Sequence, residues 1–228
     1  MSVAIKSKTR KGDQARESLK AATVRLLNRC GYHQIRIKDV TVEAGVATGL
    51  FYHYFKNLDA LVREVMDEHM AQFEATNEIE KDVTRGAWLE RMKSHYRLVV
   101  KTYAEQPGLM RCIKQYAADD PEFRARWHAS YNKRMQLLVE AFPKVMPDAQ
   151  LSKREIHLLV LGLGGIGQNF LDEYYIEGNP ELVAHEYTQE ELSEWLAALF
   201  YRGFFAANPS EASLELARPL TSVKRKVL

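Results

Sequence analysis

Arg36, Lys38, Thr48, Gly49, Tyr52, His53, Tyr54 and Lys56 crowd into one stretch, GYHQIRIKDVTVEAGVATGLFYHYFKNLDAL, residues 31–61. Cations and hydroxyls of this kind hydrogen-bond phosphate oxygens, and short polar side chains at the start of a helix can reach base edges in a major groove. Gly49 carries no Cβ and allows close approach. The chemistry these types suit is recognition of double-stranded DNA. Lys6, Lys8, Arg10 and Lys11 lie ahead of the stretch, as a basic arm for phosphates or a minor groove. Tyr52 and Tyr54 have a second reading, as aromatics that pack between helices.

Other constellations are weaker. The seven histidines, His33, His53, His69, His95, His128, His157 and His185, form no metal-ligand doublet at short helical spacing, and no serine sits in a nucleophile elbow. His95 with Glu90, or His128 with Glu122, could be neighbours on a helix, but proximity alone is thin ground for acid–base catalysis. Residues 162–167, GLGGIG, match the glycine spacing of a dinucleotide loop, yet that loop needs a preceding strand, and the flanks here are helical. Cys30 and Cys112 stand far apart without CxxC spacing, which signals neither zinc nor a redox dithiol. The expectation is a protein that is not an enzyme and needs no metal or cofactor.

The charge is unevenly spread along the 228 residues. The formal total is +2, but residues 1–56 hold 11 basic and 4 acidic residues, +7, and the remainder is −5. A basic end on an acidic body is the footprint of a protein that meets a polyanion at one end. Hydrophobic residues at 46% and charged residues at 27% argue against disorder or a disulfide scaffold. No signal-peptide core opens the chain and no apolar run is long enough to span a bilayer, so a cytoplasmic protein with no membrane partner is expected.

The elements that must position the basic stretch are helices. One is expected from about Asp13 to Cys30, a second over Ile37–Ala44 and a third over Ala47–Phe55. Gly45 supplies the positive φ of a tight turn, and Ile37, Val40, Ala44, Val46, Leu50, Phe51 and Phe55 share an apolar face. That is helix-turn-helix spacing. Helices from Leu58 to Glu80, from a cap at Asp82 or Thr84 through Tyr103, over 109–118, and from Pro121 to Phe142 follow. Two long ones, capped by Ser152 and Thr188, end near Glu177 and Ala207. Residues 209–228 look weakly patterned and poorly ordered.

Gly31, Val40–Thr41, Ala44–Gly45–Val46–Ala47–Thr48–Gly49, Tyr52, Phe55 and Leu61 stand at fixed spacing that resembles the N-terminal signature of the tetracycline-repressor (TetR) family of bacterial transcription regulators. The match covers about residues 13–62. It implies an all-α fold, with a three-helix helix-turn-helix domain over residues 1–57 and a larger helical ligand-binding and dimerisation domain over 58–208. Thr48, Gly49 and His53 then become base-reading candidates, with Arg36, Tyr52, Tyr54 and Lys56 on phosphates and Lys38 beside them. The chain departs from the family at Ala47, where a serine or threonine is usual, and at Leu58, where a lysine is usual.

The resemblance also implies a homodimer that answers a small-molecule effector. Trp88, Tyr96, Tyr103, Met110, Tyr116, Phe123, Trp127, Tyr131, Phe170 and Tyr174 could line a mostly apolar cavity, or could simply fill the core. The glycines of 162–167 suit close helix packing, which places the dimer interface on Leu159, Leu163, Ile166 and Phe170 with Trp195, Leu199, Arg202 and Phe205. The function expected is a ligand-responsive repressor released from a near-palindromic operator. The alternative is a helical binding protein or enzyme that has lost operator readout.

Overall fold

Asn57, Asp120, Ser152 and Thr188 each start a helix, because their side-chain oxygens accept backbone N–H groups that the first turn leaves without partners. Asn57 Oδ1 takes the N–H of Ala60 at 2.8 Å and Asp120 Oδ1 that of Phe123 at 2.9 Å. Ser152 with Glu155 and Thr188 with Glu191 form reciprocal capping boxes. The computed structural model describes residues 3–79 and 87–223, and only the backbone of 3–12 and 73–79. Lys6, Lys8, Arg10 and Lys11, expected as an arm ahead of the first helix, have helical backbone, and their side chains lie outside what is described, as do the cap at Asp82 or Thr84 and Lys224, Arg225 and Lys226.

Ten α-helices run through the described residues, with no strand among them. They are α1 (Val3–Arg29), α2 (Ile37–Ala44), α3 (Thr48–Tyr54), α4 (Leu58–Ile79), α5 (Trp88–Glu105), α6 (Pro107–Asp119), α7 (Pro121–Val145), α8 (Lys153–Leu171), α9 (Pro180–Val183) and α10 (Gln189–Phe205). The all-helical fold expected from the sequence is the fold observed. Three boundaries differ. Helix α1 begins at Val3 rather than near Asp13. Helix α7 continues through Pro143, whose missing N–H falls in the last turn, and Met146 N–H still reaches Phe142 O at 2.8 Å. The end of α8 widens into a π-helical turn, Asp172–Glu177, that Gly178 closes at φ 65°.

The helices pack as two units that do not follow the sequence boundary expected at 57/58. The first contains residues 1–73 with 106–124, the second 74–105 with 125–228. In the first, Leu19, Ala22 and Leu27 of α1 are buried, as are Val40, Phe51, Leu61, Leu109 and Ile113. Helix α6 comes so close to α1 that a Cβ at Gly108 would collide with the Leu27 carbonyl, while Gly108 N–H donates to Asn28 Oδ1 at 2.9 Å. The Arg63 guanidinium holds Asp120 at 2.6 Å and Asp59 at 3.0 Å and lies over the Tyr116 ring, whose hydroxyl donates to Asp59.

In the second unit α10 packs along α5 and against α8. Residues 210–223, expected to be poorly ordered, are fixed on this unit. Buried Glu194 accepts the N–H groups of Glu215 (2.7 Å) and Leu216 (2.6 Å), and Lys93 bonds both Glu194 (3.0 Å) and Ser213 O (2.6 Å). Leu214, Ala217 and Leu220 then join Leu89 and Ala198 in one apolar cluster. Sparse hydrophobic patterning hid this, because short 3₁₀ turns carry no helical period.

Burial in the first unit pushes the His69 imidazole down to about 4, against about 6.5 in the unfolded chain. The unfolded state therefore takes up the proton first, so the stability from neutral His69 is full above about pH 6.5 and is lost as pH falls toward 4. Thermal unfolding followed by circular dichroism should show this loss, up to ~3 kcal/mol, between about pH 7 and pH 4.5. In His69→Gln the fall should be smaller; an equal fall would overturn the assignment.

Candidate nucleic-acid interface

Helix α2 ends because Gly45 takes φ 66°, ψ 33°, a left-handed conformation that suits glycine. Gly45 N–H reaches Val42 O at 3.1 Å and Val46 N–H reaches Thr41 O at 3.0 Å, which closes the turn before α3. Val40, Phe51 and Phe55 are buried between α1, α2 and α3, with Ile37, Ala44, Val46 and Leu50 half-buried around them. The apolar face read from the sequence is thus the face that packs.

The opposite face is open. Arg36, Lys38, Thr48, Gly49, Tyr52, His53 and Lys56 are all exposed, and Tyr54 is half-buried with its ring edge-on to His53, centroids 4.8 Å apart. Tyr52 is 58% exposed, with its ring edge-on to buried Phe51, centroids 5.5 Å apart. Thr48 Oγ1 lies 3.5 Å from Thr41 Oγ1, so its hydroxyl sits at the first turn of α3 facing α2 as well as solvent. Ala47, at the N-cap of α3, makes no side-chain cap. A Cβ at Gly49 would meet nothing within 4 Å, so the protein's own packing does not require glycine there.

Three contributors escaped the sequence reading. Glu43 is clamped by Arg25 (Nε to Oε1, 2.6 Å) and Arg29 (Nη1 to Oε2, 2.8 Å), which locks α2 to α1. Arg29, with Arg25, holds the Glu43 carboxyl below the ordinary range. Two arginines four apart on α1 were the signal for this clamp. Asn57 caps α4, so that helix does not depend on the family's usual lysine at position 58. Val42, 71% exposed, adds an apolar patch to the outer surface of α2.

The ten aromatic and methionine positions expected to line one cavity divide between the units. Met110, Tyr116 and Phe123 are buried in the first. In the second, Tyr96 and Tyr103 are core residues: Tyr96 lies against Gly167, where a Cβ would come within 2.7 Å of its hydroxyl, and Tyr103 donates to Asp172 at 2.9 Å. Burial pushes both phenols upward. Trp88 packs on Phe204 and Phe205, Tyr131 abuts Gly164, Trp127 is half-buried, and Phe170 and Tyr174 stack with centroids 6.2 Å apart. The void beside Tyr96, with Leu163, Leu196 and Phe200, is about 20 Å³, room for one water.

The expected dimer residues also divide. Ile166 and Leu199 are 60% and 40% exposed. Leu159, Leu163 and Phe170 are half-buried, and Leu163 fills the space beside Gly203. Trp195 packs on the cluster around Leu214, Phe205 on Tyr201 and Trp88, and Arg202 donates to Leu220 O and to Val223 O, so these three serve their own chain. Among the described residues no group of three or more His, Cys, Asp or Glu could hold a metal ion, and no helix is long and apolar enough to cross a membrane.

Comparison with known proteins agrees with this geometry. Residues 19–65 match the family model of bacterial regulatory proteins, tetR family. An HTH-type transcriptional regulator of Haemophilus influenzae is 30% identical over 145 residues, 64% of this chain and 76% of its own length. The fatty acid metabolism regulator protein of Bacillus subtilis is 35% identical over 66 residues, 29% of this chain and 33% of its own. Among solved structures, a TetR-like transcriptional regulator from Rhodococcus superposes with a TM-score of 0.63 at 16% identity, covering 84% of this chain and 96% of that one. A TetR-family transcriptional regulator from Bordetella parapertussis gives 0.62 at 16% identity, covering 86% and 98%.

Gly45→Val forces a β-branched residue into the left-handed region, at a cost of ~1–3 kcal/mol. Fluorescence anisotropy with fragmented genomic DNA should show binding lost, while circular dichroism keeps most of its helical signal. Unchanged DNA binding would mean the turn does not set the outward face.

Proposed function

Since the chain belongs to the TetR family of bacterial regulatory proteins, a family of DNA-binding transcription regulators and not of enzymes, we propose that it is a dimeric, ligand-responsive repressor acting in the cytoplasm. The observation that carries this is the open face of α3, with Thr48, Gly49, Tyr52, His53 and Lys56 all exposed behind the Gly45 turn. Helix α3 enters a major groove; Thr48, Gly49 and His53 read bases. Arg36, Lys38, Tyr52, Tyr54 and Lys56 contact phosphates. A dimer places two such helices on half-sites about 34–36 Å apart, or a multiple of that.

The dimer forms through α8 and α10. Leu158, Leu161 and Ile166 are exposed on α8 with Leu199 on α10, and a Cβ at Gly162 or Gly165 would meet nothing within 4 Å, so a second copy's helices can approach closely. This keeps Ile166 and Leu199 of the expected set. The effector is small and mostly apolar and binds the second unit, where half-buried Trp127, Tyr131, Phe170 and Tyr174 combine apolar rings with polar tips. Binding lowers operator affinity only by favouring a conformation that reads the operator less well.

Enrichment of genomic fragments on the purified protein, followed by anisotropy titration over a salt series, tests the whole reading. Thr48→Ala or His53→Ala should cost ~1–3 kcal/mol at particular base pairs, whereas Lys56→Ala should weaken all sequences alike and lower the salt slope by about 1. Weak binding to every sequence would overturn operator recognition. Separately, Ile166→Glu with Leu199→Glu should halve the mass seen by light scattering without lowering the helical content. An unchanged mass would place the interface elsewhere.

A further inference from the structure

Two tyrosines of α5 enter the second unit, and only one of them finds a partner. Tyr103 donates to Asp172, whereas among the described residues the Tyr96 hydroxyl has no hydrogen-bond partner. Tyr96 is only 6% exposed, and its hydroxyl lies over Gly167 of α8, where a Cβ would come within 2.7 Å of it. Tyr131, which lies over Gly164 one turn back, is not bonded to it. Burial keeps the Tyr96 phenol protonated. A buried hydroxyl left without a partner costs free energy, and native interiors answer nearly all such groups with protein, water or a ligand.

Tyr96 and Gly167 meet at the void of about 20 Å³. Leu163, Leu196 and Phe200 form its walls, and Ile166 and Leu199, 60% and 40% exposed, stand at its mouth. Tyr96 thus supplies the one polar side chain of the lining, and the lining backbone lies in helix interiors, where N–H and C=O groups bond along the helix. A water fits by volume, but it meets a single side-chain partner here, where an ordered buried water takes about three. A neutral molecule with one oxygen on an apolar body answers the hydroxyl and forfeits nothing at the other walls. A charged one would leave its hydration for walls that offer no counter-charge.

We propose that this void is the polar end of a binding site for a neutral apolar molecule carrying one oxygen, a ketone or an alcohol, whose oxygen meets the Tyr96 hydroxyl while its hydrocarbon part lies against Leu163, Ile166 and Leu199. The site is separate from the half-buried aromatics assigned to the effector. Because the void has room for the oxygen alone, the body of the ligand lies outside it, on side chains proposed for the dimer interface. Ligand and second copy then contest Ile166 and Leu199, so each lowers the affinity of the other by the same factor. That coupling rests on the interface proposed for α8 and α10; the contact with Tyr96 does not.

Cyclohexanone and methylenecyclohexane share one shape and differ by an oxygen against a CH₂, and cyclohexylammonium adds a charge. Each is titrated into the full-length protein with ¹³C-labelled leucine and isoleucine methyls. Cyclohexanone should shift the Leu163, Ile166 and Leu199 signals saturably, methylenecyclohexane should bind ~2–10-fold more weakly, the worth of one hydrogen bond, and cyclohexylammonium should leave the signals unmoved. Tyr96→Phe removes only the hydroxyl: it should bring the ketone down to the affinity of the hydrocarbon, and Tm should not fall, because no bond is lost. A lower Tm in Tyr96→Phe, equal ketone affinity in both proteins, equal affinity of the wild type for ketone and hydrocarbon, or no saturable shift would each overturn the site; the comparison of the three molecules needs no variant. Diluting the protein until light scattering shows single chains should tighten cyclohexanone binding. An affinity unchanged across that transition overturns the competition, whereas a single-chain mass at every concentration overturns the interface and the coupling with it, and leaves the methyl shifts to decide the site.

Discussion

The backbone of Gly108 lies against the carbonyl of Leu27, and on that approach the first unit depends. A helix-turn-helix domain of this size buries a smaller fraction of its chain than a larger domain does, so every further contact on α1 adds to its hold. Helix α1 has to be covered on more than one side. The cover comes from α4 and from residues 106–124, which return from beyond α5. Only glycine permits the contact with Leu27, because any Cβ would strike main chain that cannot move aside. The Arg63 cluster with Asp59, Tyr116 and Asp120 then fixes the far end of the returning segment.

Once α1 is held, the geometry of the interface follows from short-range chemistry. Glu43 ties α2 to α1 through two arginines, Gly45 sets the angle to α3, and Asn57 starts α4 directly after the basic Lys56. The same side chains that face outward carry the positive charge. The second unit uses a different device, in which one buried carboxylate, Glu194, gathers the main chain of a segment that has no regular helix of its own.

What the sequence revealed and what it concealed divide by range. Gly45, the caps at Ser152 and Thr188, and the apolar face through Val40, Phe51 and Phe55 are local signals, written within a few residues of the structure they cause. The return of α6 was invisible because Gly108 and Leu27 are 81 positions apart and neither looks unusual alone. The glycines of 162–167 were legible only by half: Gly164 and Gly167 receive Tyr131 and Tyr96 of their own chain, while Gly162 and Gly165 face open space, and spacing alone does not sort one pair from the other. The aromatic set divides between the units for the same reason. Its members share a residue type, but the path of the chain sends Met110, Tyr116 and Phe123 to a different unit.

The interleaving of the two units has a bearing on how the chain is made. During synthesis α5 emerges before α6, yet its main partner, α10, lies some hundred residues further along, whereas α6 finds α1 already waiting. The DNA-facing unit can therefore close around Gly108 while the second unit is still half translated. Glu194 too must wait: its carboxylate stays without its backbone donors until residues 215 and 216 leave the ribosome, so that segment decides when this corner of the second unit closes.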